Sequence, residues 1–186
     1  MDDIFNLQKL TSAISASMVM ASSESLDGEI NRALESMLSF LEIARIGLLT
    51  VDESSPVINV DYASYAKDAP HVSKQINLAA LFSWTYDLVI GRGQTMVMAS
   101  LDDLPSEAEE DRRSHTMLGN KSALIIPLFI GSRVHHLLTL DARKTGRDWP
   151  EEVVVQGRLL GEIFVSALQR REAESSLLFV AISSTG

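Results

Sequence analysis

Residues 122–142 read SALIIPLFIGSRVHHLLTLDA, two apolar runs of strand composition on either side of Gly131 and Ser132. Gly-Ser between two such runs is the composition of a two-residue hairpin turn, because glycine takes up the positive φ that such a turn requires. The stretch predicts an antiparallel β-hairpin, and that constrains what His135 and His136 can do. Side chains alternate faces along a strand, so adjacent imidazoles point to opposite surfaces of the sheet and cannot share one metal ion. Alternation groups His136 with Val134, Leu138 and Leu140, and His135 with Leu137 and Thr139. A ring among apolar face-mates needs a hydrogen-bonding partner or a cavity. His136 is therefore expected either as a core histidine or on a pocket wall, and His135 as a hydrogen-bonded histidine beside the core.

Upstream of the hairpin, LDDLPSEAEEDRRSHTMLG at 101–119 predicts a helix with Pro105 in its first turn, a Ser106–Glu109 capping box, acids ahead of Arg112 and Arg113, and Gly119 as the stop. TMVMAS at 95–100 has strand character. INLAALFSWTYDLVIGRG at 76–93 predicts a short apolar segment and then a short helix ending at Gly91 or Gly93, while KDAPHVSKQ before it reads as a surface loop. IGLLTVD at 46–52 and VINVDYASY at 57–65, joined by ESSP, predict an antiparallel pair. Two helices precede them. Ile4, Leu7, Leu10, Ile14 and Met18 mark the first over 3–20; Ile30, Leu34, Leu38 and Leu41 mark the second, with Asp27 as its N-cap. Downstream, KTGRDW is a loop and Pro150 opens a last helix, in which Leu160, Phe164, Ala167, Leu178 and Ala181 recur with Arg171 and Glu174 at the same phase. This order predicts an α+β domain, an antiparallel sheet flanked by helices.

A chain of 186 residues with 46% hydrophobic side chains fits a single domain with a full core. It lacks an apolar run of about 18 residues, and MDDIFNLQ lacks the basic and apolar parts of an export signal, so a cytoplasmic protein with no membrane partner is expected. The absence of cysteine removes disulfides, zinc–thiolate sites, thiol nucleophiles and thioether-linked cofactors. A net charge of −9 opposes binding to a phosphate backbone, which excludes nucleic acid as the expected partner. His71 and His115 have no second ligand at metal spacing, Gly91-Arg92-Gly93 does not extend to GxGxxG, and the acids from Asp102 to Asp111 suit a helix N-terminus. No catalytic or metal constellation assembles. A binding module rather than an enzyme is expected.

GNKSALIIPLFIGSRVHHLLTLDAR, RDWPEEVV and RLLGEIFVSALQRREAE, taken in order, resemble the end of a GAF domain, in particular those preceding the kinase or transcriptional output of bacterial signalling proteins. ALESMLSFLEIARIGLLTVD is similar to that family's second helix and first strand, and SLDDLPSEAEEDRR to a motif ahead of its fourth strand. The resemblance covers roughly residues 5–174 and implies one sensory domain over 1–174, with terminal helices at 1–20 and 149–174 and a helical extension or tail at 175–186. It implies a six-stranded antiparallel sheet, the terminal helices packed together on one face, and a small-molecule pocket on the other beneath the middle segment. Phe82, Trp84 and Tyr86 are the expected aromatic walls, and Arg112, His115 and His136 the polar handles for an unidentified ligand.

The cofactor stays open. Cysteine-dependent bilin attachment and free methionine sulfoxide reduction are excluded, the cyclic-nucleotide signature NKFDE is not seen at Asn120-Lys121-Ser122-Ala123, and a haem ligand would have to be His115, His135 or His136. His136 stands where the family's hairpin usually has glycine. The stripe from Leu160 through Leu178 has heptad-like spacing and predicts a homodimer seam formed with the first helix, with a downstream kinase or transcriptional output domain as a further partner. The alternative is a degenerate module that acts only in dimerisation or protein–protein contact, its pocket filled by its own side chains.

Overall fold

A computed structural model describes residues 2–144 and 146–183, with side chains from residue 4 onward. Met1, Thr145 and residues 184–186, which belong to the predicted first helix, the KTGRDW loop and the C-terminal extension, lie outside the described residues. The elements run α1 (Asp2–Met20), α2 (Leu26–Leu41), β1 (Arg45–Val51), β2 (Val57–Tyr65), β3 (Gln75–Asn77), α3 (Leu78–Leu81) and α4 (Ser83–Tyr86), which passes into a π-helical turn at Asp87–Gly91. They continue as β4 (Met96–Met98), α5 (Glu109–Leu118), β5 (Ser122–Ile130), β6 (Arg133–Ala142) and α6 (Glu151–Ser183). The strands form one antiparallel sheet in the order β3-β2-β1-β6-β5-β4. The predicted fold class and the hairpin at Gly131, with φ of 62°, are both present.

Local predictions fail where a side chain has better work than the one assigned to it. Asp27 does not cap α2; Ser25 precedes the helix, and the Asp27 carboxylate accepts from the Tyr62 hydroxyl and Arg171 across the domain. The predicted Ser106–Glu109 box is absent, because residues 106–108 form a separate 3₁₀ turn after the extended Pro105 and the Ser106 hydroxyl turns to Glu107. A capping box sits instead on the preceding turn, where the Asp103 carboxylate accepts from Ser100 N at 2.8 Å and the Ser100 hydroxyl accepts from Asp102 N at 3.2 Å. Within the stretch read as loop and apolar segment lie β3 and α3, three and four residues long, too short to show a period. Asn77 ends the strand and caps the helix, accepting from Ala80 N at 3.1 Å.

Two bulges adjust the sheet. Asp61 is the extra residue opposite Leu48–Leu49, and His135 the extra residue opposite Leu128–Phe129. The second reverses the alternation beyond it. Val134 therefore leaves the expected company of His136 and joins Leu137 in the cluster on the face away from the terminal helices. His136 keeps phase with Leu138 and Leu140, which pack towards those helices.

α1 packs on α6, α2 on β1 and β2, and α6 on β5 and β6, so the terminal helices share one face of the sheet. Leu48, Leu124, Ile126, Leu128, Leu138 and Leu140 supply the sheet side of this layer, and Leu34, Phe164 and Ala167 much of the helix side. Gly157 and Gly161 let α6 lie on β5; a Cβ at Gly161 would stand 2.6 Å from Leu128 Cδ2. The predicted seam is largely consumed here. Leu160, Phe164 and Ala167 are buried within the chain, Arg171 pairs with Asp27, and Glu174 accepts from Ser23. Glu174 and Leu178 of that stripe are left exposed, along with Leu177, Phe179, Val180 and Ile182 on the same end of α6.

Candidate functional site

The other face of the sheet carries a cavity of about 80 Å³. Its floor is made by alternate residues of neighbouring strands: Arg45, Gly47 and Leu49 from β1, Thr139 and Asp141 from β6, Ile125 from β5, and Val60 and Tyr65 from β2. Its roof comes from the middle segment and α5, through Val72, Ile76, Leu78, Phe82, His115, Leu118 and Asn120. The roof is tied down at several points. Asp111, fully buried, accepts from Trp84 N at 3.1 Å and Thr85 N at 2.8 Å and so clips the start of α4 to α5. Phe82 meets the His115 ring edge-on with centroids 4.9 Å apart, and Tyr65 stacks on His71 at 3.9 Å.

Apolar walls dominate, and the polar groups gather at one end. Arg45, 4% exposed, donates through Nε to Asp141 at 3.1 Å, through Nη1 to Pro70 O at 3.3 Å, and through Nη2 to Asn120 Oδ1. Register makes the ion pair possible, since Arg45 lies directly opposite Asp141 in the β1–β6 ladder. Asn120 then faces His115 with its amide nitrogen, 3.2 Å from Nδ1. His115 is 2% exposed, and its Nε2 has no hydrogen-bonding partner among the described residues. Burial holds its pKa below the ordinary imidazole value, against the opposing pull of Asp141 and Asp111. The ring is thus neutral at physiological pH.

Of the six residues predicted to bind ligand, Phe82 and His115 line the cavity. Trp84 is half-buried in the same hydrophobic layer without reaching the cavity, and Tyr86 lines a separate groove with Ile90 and Val134. Arg112 pairs with Glu109 at 3.0 Å and donates to Leu104 O at 2.7 Å. His136 stands on the helix-bearing side, its Nδ1 buried without a partner among the described residues and its pKa lowered by burial. Sequence reasoning missed Arg45, Asn120 and Asp141. The available signal was a single arginine opening the apolar run RIGLLTV, in phase with Gly47 and Leu49. A ligand pocket for drug-sized molecules spans roughly 300–1,000 Å³. At about 80 Å³ the cavity in this conformation has room for a molecule of a few heavy atoms and not for a haem, a bilin or a nucleotide. Among the described residues no three His, Asp or Glu side chains converge as a metal site requires.

No family model and no curated protein matches the chain. Solved structures do. A free methionine-R-sulfoxide reductase from Neisseria meningitidis, in complex with its substrate, superposes with a TM-score of 0.71 at 13% identity over 94% of this chain and 95% of that one. The phycoerythrobilin-bound GAF domain of a cyanobacterial phytochrome gives 0.74 at 13% identity, covering 92% and 98%. The GAF domain of a phosphoenolpyruvate-protein phosphotransferase from Coxiella burnetii gives 0.68 at 13%, covering 93% and 98%. The chain has the GAF fold.

Proposed function

We propose that this domain is a sensory module which binds a small molecule between the sheet and the middle segment and passes the signal to its terminal helices. The observation that carries the reading is the cavity at that place, lined by apolar walls and ending in His115, whose buried Nε2 has no partner among the described residues. Two solved structures of similar fold hold a small molecule, one a substrate and the other a bilin. The route outward is short. Ile125 and Thr139 line the cavity, and the residues beside them in β5 and β6, Leu124, Ile126, Leu138 and Leu140, pack in the layer that includes α6. A ligand shifts those helices only to the extent that it binds one packing of this layer better than another.

On this reading the domain binds rather than catalyses and acts in the cytoplasm. It forms a homodimer through α1 and the exposed end of α6, upstream of a kinase or transcriptional output in a bacterial signalling protein. A thermal-shift and native mass-spectrometry screen against small ketones, acids, amino acids, nucleotides and haem tests the central claim. A saturable small ligand that also changes hydrogen exchange in α6 supports it; a blank across the set defeats it. One observation favours the second reading, a ligand-free interaction module: the cavity, at about 80 Å³, is small.

A further inference from the structure

The polar end of the cavity selects among ligand chemistries, and the selection follows from which hydrogen-bonding groups are already spent. All three nitrogens of Arg45 are engaged, its charge faces Asp141, and no other cation lines the cavity among the described residues. Asp111 adds a second buried carboxylate behind the roof. An entering carboxylate would lose its water and meet no free positive charge. The fixed groups therefore reject an anion.

His115 decides the rest. The Oδ1 of Asn120 is taken by Arg45, so Asn120 presents its NH₂ to His115 Nδ1, and Nδ1 of the neutral ring accepts. The proton of the ring is then on Nε2, which is a buried donor without a partner among the described residues. A buried donor left unpaired is costly, and a ligand that supplies an acceptor relieves that cost.

We infer that the cavity takes a small, uncharged, largely aliphatic molecule with a carbonyl-type oxygen, which accepts from His115 Nε2–H while its hydrocarbon part packs between Leu49, Ile125 and Phe82. The inference rests on the ligand-binding reading above and narrows it to one chemical class. Arg45 acts here as a support that fixes Asn120, and through it the imidazole tautomer, rather than as an anion receptor.

Two near-isosteric probes test it, 3-methylbutan-2-one and isobutyrate at pH 7.5, titrated into the native protein with binding followed by chemical-shift perturbation. The ketone should saturate at a concentration at least about tenfold below isobutyrate, and His115→Phe should weaken the ketone by roughly tenfold, the worth of one hydrogen bond. Asp141→Asn, which leaves the Arg45 charge unmatched, should narrow or reverse the preference. Nitrogen-15 shifts of the His115 ring provide a readout independent of any ligand and of any variant's folding, and should show the Nε2–H tautomer. Tighter binding of isobutyrate to the native protein, or an Nδ1–H tautomer, overturns the assigned ligand class and leaves the pocket standing. No saturable binding by either probe overturns the pocket reading along with it.

Discussion

On the helix-bearing face of the sheet, leucine and isoleucine side chains of β1, β5 and β6 pack beneath α2 and α6, and α6 comes so close that a glycine is needed over Leu128. On the opposite face the same strands offer Leu49, Ile125 and Leu137, yet there they share the layer with Arg45, His115 and Asn120 and enclose a void. Alternation in β1, β5 and β6 sends neighbouring residues into two different environments. The first face maximises close-packed apolar contact, the ordinary source of stability. The second gives up contact around a void; a buried imidazole nitrogen without a partner among the described residues occurs on both faces, His115 Nε2 here and His136 Nδ1 there, so the void is what separates the two. The contrast makes the cavity side the candidate binding face proposed above.

The sharpest way to break this contrast is to truncate one phenylalanine in each layer. Phe164 is fully buried on the helix-bearing side, and Phe164→Ala should cost about 3–5 kcal/mol in urea unfolding. Phe82 lines a space that is already open, so Phe82→Ala should cost at least about 1 kcal/mol less, since the truncation enlarges an existing void rather than making a new one. Equal losses would mean that the two layers are packed alike. Glycines give the next largest effect. Gly161→Ala places a methyl 2.6 Å from Leu128 Cδ2 and should cost roughly 1–3 kcal/mol, recovered in part when Leu128→Ala is added. Gly47, on the cavity side, has Leu49 Cδ1 at 3.2 Å and Thr139 Oγ1 at 3.4 Å as its nearest neighbours, so Gly47→Ala should stay within about 1 kcal/mol of the native protein while reducing the cavity.

The same contrast explains what the sequence disclosed. The helix-bearing layer was legible because it is periodic: Ile30, Leu34, Leu38 and Leu41 in α2, and Leu160, Phe164 and Ala167 in α6, repeat with the helical period and are buried as that period demands. The hairpin was legible from Gly131, yet the bulge at His135 was not, because an inserted residue leaves the composition of a strand unchanged. The cavity was half legible. Phe82 and His115 stood out as residue types, whereas Arg45, Asn120 and Asp141 matter through partners 75 and 96 residues away. A pairing at that distance depends on strand register, which a single sequence does not display. Trp84, Tyr86 and Arg112 were drawn in by residue type and lie outside the lining of the cavity, Tyr86 in a separate groove and Arg112 bonded to Leu104 O.

Acid sharpens the comparison further. His115 on the cavity side is held neutral by burial, its folded pKa below the unfolded value near 6.5. The unfolded chain therefore binds the proton more readily, and the associated stability is complete above about pH 6.5 and declines as the pH falls from there towards the folded pKa. His136, on the other face, shifts in the same direction and for the same leading cause. In His115→Phe the pH dependence of the urea midpoint below about 6.5 should be shallower than in the native protein, with the remainder carried by His136. An unchanged slope would place the acid sensitivity elsewhere than on the cavity face.

The smallest effect concerns the rim of the helix-bearing face, where α6 leaves the body. Asp27 accepts there from the Tyr62 hydroxyl and from Arg171, joining α2, β2 and α6. These bonds, the Tyr62 one foremost, hold its pKa below the ordinary carboxylate value. A depressed carboxylate stabilises the fold above the unfolded pKa near 3.9 and loses that contribution as the pH falls through its folded value, so the clamp is intact at neutral pH and opens in strong acid. Its side chain is 60% exposed, and solvent screening limits Asp27→Asn to roughly 0.2–1 kcal/mol, less in high salt. The effect on the end of α6 should exceed the effect on global stability. Residues beyond Arg171 have few buried contacts to hold them, so hydrogen exchange over 172–183 should accelerate in Asp27→Asn while the amides of β5 and β6 keep their native rates. Acceleration spread evenly over the sheet would show that the clamp only adds global stability; acceleration confined to the end of α6 makes it the joint through which the packed face controls its projecting helix.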